Sequence, residues 1–145
     1  MNRNLKASKS IIIDSTPEDI WEVLTNPEKI KLYLYGTETL TNWKVGSTIL
    51  FQGEYNGQQY KDKGNVLEND RPNVLKYNYW SGFSGLEDKA GNYALVSYKI
   101  VSLGANRSEF TWLQEGFANE EGKCHTENGL ENMLQQIKQL VEEDK

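Results

Sequence analysis

The residues best suited to chemistry are few in this chain. Its one histidine, His125, directly follows its one cysteine, Cys124. A Cys/His pair yields a reactive thiolate when the imidazole lies within hydrogen-bonding reach and a third group orients it. Adjacent residues on one backbone rarely aim at each other and no orienting group accompanies them, so the pair reads as part of an acidic linker. Zinc would need three or four ligands, reached here only if acids such as Glu120 or Glu127 join, and no metal is expected. Gly82-Phe83-Ser84-Gly85 is neither a phosphate loop nor a dinucleotide turn, and no cofactor is expected. What remains is an aromatic set: Phe51, Tyr77, Tyr79, Tyr98, Phe110 and Trp112, with Gln114 alternating after the last two. Such rings either fill a core or line a cavity for an apolar ligand. In the second reading Gln114 and the hydroxyls of Tyr79 and Tyr98 are the polar contacts. For Gln114 the alternative is exposure at a strand end, because a buried amide needs partners.

Composition narrows the classes of partner. The chain has 145 residues, enough for one core, and residues 1–145 are expected to form a single domain. Sixteen Lys and Arg stand against 21 Asp and Glu, giving a net charge of -5 with no basic cluster, which disfavours nucleic acid and anionic membranes. One cysteine rules out an internal disulfide framework, and the first ten residues lack the apolar run of a signal peptide, so a cytoplasmic location is expected. No stretch is apolar for long enough to span a membrane. Nothing in the composition decides between monomer and homodimer.

Around these residues the periodicity sets out the elements. Leu5 to Asp14 reads as a strand. Thr16-Pro17-Glu18-Asp19 then opens a helix to about Thr25, with Thr16 as N-cap, Pro17 at the first helical position, and Trp21 on the flank. Asn26-Pro27-Glu28 repeats the signal for a second short helix, to about Tyr35, stopped by Gly36. Strands follow at Glu38–Thr41, Thr48–Glu54, Gln58–Glu68, Val74–Trp80, Tyr93–Leu103 and Ser108–Gln114, joined by short turns that make neighbours antiparallel. Alternation turns Ile49, Phe51, Leu75, Tyr77, Tyr79, Val96, Tyr98, Ile100, Phe110, Trp112 and Gln114 inward. Residues 82–91 read as a mobile loop and Gly116 to His125 as a linker. The final helix, Thr126 to Glu143, carries Leu130, Met133, Leu134, Ile137, Leu140 and Val141 as one apolar stripe that must bury against the sheet. Glu142 to Lys145 reads as a solvated end whose acids oppose the helix dipole, so the last turn is expected to fray.

In this order and spacing the chain resembles the Bet v 1-like or START-like (SRPBCC) superfamily, in particular the branch homologous to the Hsp90 ATPase activator C-terminal domain. The resemblance rests on the run Ser15 to Glu28, on Trp43-Lys44-Val45-Gly46-Ser47, on Gly64 to Pro72 followed by Leu75, and on Gly129 with its helix. It implies an α+β helix-grip fold: a curved antiparallel sheet, two short helices after the first strand, and a long C-terminal helix in the concavity. One departure is Gly129-Leu130, where this branch commonly has Gly-Trp. A Leu there leaves volume, which would enlarge a pocket at that point.

Function is then expected to be the binding of a small hydrophobic ligand, lipid-like or aromatic, between helix and sheet. Phe51, Tyr79, Tyr98, Phe110, Trp112, Gln114, Leu130 and Met133 are its expected lining. The superfamily also implies a polyketide cyclase or aromatase activity, but the sequence places no histidine and no obvious buried acid among the expected lining to move protons, so binding is favoured over catalysis and no catalytic residue is assigned. The branch name implies a third role, interaction with an Hsp90-type chaperone, and fold alone does not carry it.

Overall fold

The computed structural model describes residues 1–143, the Tyr55 side chain excepted; the Asp144-Lys145 part of the expected tail lies outside the described residues. The elements run β1 (Asn2–Ile13), α1 (Pro17–Thr25), α2 (Pro27–Tyr33), β2 (Glu38–Leu40), β3 (Thr48–Tyr55), β4 (Gln58–Asp70), β5 (Val74–Tyr79), β6 (Ala94–Gly104), β7 (Arg107–Phe117) and α3 (Glu120–Glu143). The strands form one curved antiparallel sheet in the order β1-β7-β6-β5-β4-β3-β2. This is the helix-grip arrangement, with β1 added at one edge and a meander supplying the rest.

The two short helices start where their caps require. The Thr16 hydroxyl accepts from the Asp19 N–H and the Asn26 side chain accepts from the Glu28 N–H, each followed by a proline at the first helical position. Tyr33 ties the pair together by donating to the Leu24 carbonyl at 3.1 Å. Trp21 is buried, 3% exposed, rather than on a flank, because α1 packs against α2, α3 and β6 at once. Trp43 donates its indole N–H to the Thr25 carbonyl at 2.8 Å, fixing the β2–β3 connection to the end of α1.

The long helix differs most from expectation. It begins at Glu120, not Thr126, and absorbs most of the supposed linker. The Asn119 side chain accepts from the Gly122 N–H at 2.9 Å, and Glu120 and Glu121 sit in the first turn, where the helix dipole favours acids. The signal was present in the sequence, but these turns carry no apolar stripe. Fully buried positions begin only at Leu130 and continue with Leu134, Ile137 and Val141. The other end does not hang free either, since Glu142 accepts from the Asp14 N–H at 2.9 Å and from Lys138 at 2.6 Å. Lys138 also donates to the Ile12 carbonyl at 3.0 Å, so the C-terminal half of α3 is moored to the end of β1.

Residues 82–91 hold two short 3-10 turns, Gly82–Ser84 and Ala90–Asn92. The segment is pinned by the Trp80 indole on the Leu86 carbonyl, by Asn92 on the Glu87 carbonyl, and by Asp88, which pairs with Lys63 and accepts from the Tyr93 hydroxyl. Desolvation first, then the bond to Asp88 and its charge, push the Tyr93 phenol up to about 12.

Candidate functional site on the concave face

Strand alternation places one aromatic ring after another on the concave face. Phe51 of β3 meets Tyr77 and Tyr79 of β5 at centroid distances of 5.9 and 5.8 Å, Tyr77 meets Tyr98 of β6 at 5.6 Å, and Tyr98 meets Phe110 of β7 at 5.7 Å. The contacts are tilted or edge-to-face, the geometry the ring quadrupoles favour. Phe51 meets β5 across β4, where the residue opposite it is Asp62, and Gly64 lies two positions further along β4. A Cβ at Gly64 would stand 1.8 Å from the Asn78 carbonyl oxygen, so the β4 and β5 backbones approach more closely than any side chain permits.

The residues expected to line a cavity fall into two groups. Phe51, Tyr98, Phe110, Trp112 and Leu130 are buried in the core. Tyr79, Gln114 and Met133 face the same concavity and keep partial exposure. Their polar atoms have protein partners: the Tyr98 and Tyr77 hydroxyls bond each other at 2.8 Å, Gln114 donates to the Gly116 carbonyl at 3.1 Å, and the Tyr79 hydroxyl donates to Asp62 at 2.5 Å. Burial, first of all, pushes the Tyr33, Tyr77, Tyr79 and Tyr98 phenols above their ordinary range, so all four remain neutral donors at physiological pH.

Asp62 corrects the expectation that the chain has no buried acid. It lies on β4 opposite Phe51 and is only 5% exposed. One carboxylate oxygen takes the Tyr79 hydrogen bond, and the other, Oδ1, has no partner. Burial raises its pKa, while Tyr79, Ser81 and the Gly82 N–H pull in the opposite direction without cancelling the shift. On the far side of Phe51, the Oγ1 of Thr39 on β2 is also buried without a partner. Next along β4 on the same face, the Tyr60 hydroxyl bonds Thr37 at 2.5 Å. The β2–β4 end of the concavity is therefore polar, with two of its buried atoms unsatisfied. Sequence reading missed Asp62 because it lies between Lys61 and Lys63, although it shares phase with the buried Val66.

Two clefts are open at the surface. One, of about 940 Å³, is lined by Lys31, Gly36, Gly53 and Tyr60 together with Glu38, Gln52, Glu54, Gln59 and Lys61, which alternate onto the face opposite to Thr39, Phe51 and Asp62. The other, about 300 Å³, lies between Leu32 and the Gln136, Gln139 and Leu140 side of α3. Leu130 lines neither. Among the described residues no three His, Cys, Asp or Glu side chains gather as a metal site would need, and no helix is long and apolar enough to cross a membrane. Cys124 and His125 are both exposed on α3.

The family of Activator of Hsp90 ATPase homolog 1-like proteins matches residues 14–142 of the sequence. The chain belongs to that family. Among solved structures, ChR145 from Cytophaga hutchinsonii is 33% identical, with 99% of this chain and 98% of that one covered and a TM-score of 0.82. The Aha1 dimer from Colwellia psychrerythraea is 14% identical, with 94% and 95% covered and a TM-score of 0.72. An HSP90 activator from Plasmodium falciparum is 13% identical, with 78% and 74% covered and a TM-score of 0.62. At those last two identities the likeness is one of fold. No curated protein matches the chain.

Proposed function

We propose that this family member binds a small hydrophobic molecule, aromatic or lipid-like, between α3 and the concave face of the sheet. The observation that carries this reading is the unsealed aromatic face: Tyr79, Gln114 and Met133 keep exposure although Phe51, Tyr98, Phe110, Trp112 and Leu130 beside them are buried. Ligand entry uses the weakly moored part of α3. Its residues from Glu120 to Gly129 bury no side chain fully, whereas the Leu134–Val141 half is anchored in the core. Opening the first half therefore exposes little apolar surface and costs little.

The experiment is a thermal-shift and fluorescence screen with naphthalene-type and fatty-acyl probes. Saturable stabilisation by at least one class supports the reading. A protein whose melting temperature and intrinsic Trp fluorescence ignore every probe does not have this function.

A second reading, interaction with an Hsp90-type chaperone, draws support from the family and from the likeness to an HSP90 activator. Co-sedimentation with a purified Hsp90 homologue tests it, and two independent boundaries would remove it. The Aha1 dimer among the relatives makes self-association the first property to check in the same run.

A further inference from the structure

The Asp62 carboxylate is the one buried acidic group among the described residues, and its Oδ1 has no hydrogen-bond partner, although the Ser81 hydroxyl and the Gly82 N–H lie near enough to the carboxylate to favour its charged form. A buried carboxylate oxygen without a donor costs free energy that a bound group can restore. Four features surround Oδ1. The Tyr79 hydroxyl holds the other oxygen at 2.5 Å, which fixes the carboxylate plane. The Phe51 ring lies on the opposite strand position. Thr39 Oγ1, also buried and unpartnered, stands beyond that ring. The fourth is the Gly82–Ser84 turn, which contacts β4 and whose Phe83 lies 5.7 Å from the Tyr60 ring. The nearest surface cleft is lined by Tyr60, two residues along β4, and by none of Asp62, Phe51, Thr39 or Tyr79.

We propose that this end of the concavity is the polar terminus of the ligand site, where Asp62 Oδ1 accepts a hydrogen bond from a hydroxyl or ammonium group on an otherwise apolar, ring-bearing ligand. The inference rests on the binding reading above and adds the chemical class of the ligand. Phe51 and Tyr79 flank the ligand body next to its donor. Thr39, able to donate and accept, is the second polar wall. Lys61 and Lys63, the cations on either side of Asp62 along β4, alternate to the other face, and Lys63 is engaged by Asp88, so neither satisfies Oδ1.

The test uses four probes that share one ring system: 2-naphthol, 2-(aminomethyl)naphthalene, 2-methylnaphthalene and 2-methoxynaphthalene. Affinities are measured by fluorescence titration of the full chain and of Asp62→Asn. In the unsubstituted protein, naphthol or the amine should bind about tenfold or more tighter than the methyl and methoxy probes, which cannot donate. The ratio of naphthol to amine tells a hydroxyl ligand from a cationic one. In Asp62→Asn the Tyr79 hydroxyl holds the amide oxygen, so the amide NH2 replaces Oδ1. The preference should then move to the methoxy probe, an acceptor. Donor and methyl probes binding within about twofold of each other would overturn the inference and leave the binding reading intact, as would a donor preference unchanged in Asp62→Asn. Binding of none overturns both. Should Asp62→Asn fail to fold, the carboxyl 13C resonance of Asp62 in the unsubstituted protein decides: it should shift with donor probes and stay fixed with the methyl probe.

Discussion

A carboxylate that burial disfavours leaves its mark on the pH dependence of stability. The folded-state pKa of Asp62 is raised, so its folded form binds a proton that the unfolded chain has already released. Its contribution is therefore most favourable below the ordinary carboxylate value of about 4, declines as pH rises towards the raised folded value, and is flat above it. Asp62→Asn removes this decline. Urea unfolding of both proteins from about pH 3.5 to 8 should give a stability difference that grows in favour of the variant and then levels. Parallel curves would contradict it. The lowered pKa values of Asp88 and Glu142 act in both proteins alike and cancel in the difference. Tyr79→Phe should extend the decline to higher pH, because it deletes the donor that pulls the carboxylate down, and should cost about 1–3 kcal/mol of stability. At this scale the sequence is legible through phase: Tyr79, Tyr98, Phe110 and Trp112 face inward as alternation predicts. Asp62 shares that phase with Val66 and was obscured by its charge, since acids are seldom buried. Partnerships are the illegible part. Nothing in sequence spacing tells that the Gln114 amide, on the concave face, donates to the Gly116 carbonyl.

Two glycines separate what an element tolerates from what it requires. Gly64 lies where β4 and β5 touch backbone to backbone, and any Cβ there collides with the Asn78 carbonyl. Gly64→Ala must push the strands apart, which also draws Tyr79 away from Asp62. We expect a loss of about 3 kcal/mol or more, together with loss of the Asp62 pH signature, measured by the same urea titrations. Gly129 is the opposite case, an exposed position inside α3 with open space where a Cβ would go. Gly129→Ala should raise stability by roughly 0.5–1 kcal/mol through helix propensity alone, and a destabilised variant would mean that α3 is not helical there. The order of elements was readable from caps, prolines and turn dipeptides, which act locally. The start of α3 was not read correctly, because its first turns rely on the Asn119 cap and on acids at the dipole, whereas periodicity reports only buried faces.

For the whole molecule, the uneven mooring of α3 makes binding and folding separable. A ligand present at about 100 times its Kd stabilises by about 2.7 kcal/mol, which for a chain of this size raises the melting temperature by roughly 5–10 °C. Met133 and Leu134 are neighbours on α3 with different surroundings, the first partly exposed over the concave face and the second fully buried. Met133→Gln keeps length and helix propensity but puts an amide where an apolar ligand would rest. It should leave the ligand-free melting temperature nearly unchanged and shrink the ligand-induced rise to about 2 °C or less. Leu134→Ala should do the reverse, costing about 2–5 kcal/mol as the core loses a filled position while the ligand-induced rise persists. Differential scanning calorimetry of both variants, with and without 2-naphthol, checks the pair. If both substitutions lower the melting temperature and the rise together, α3 moves and melts as one unit, and a ligand site opened by its first half is excluded.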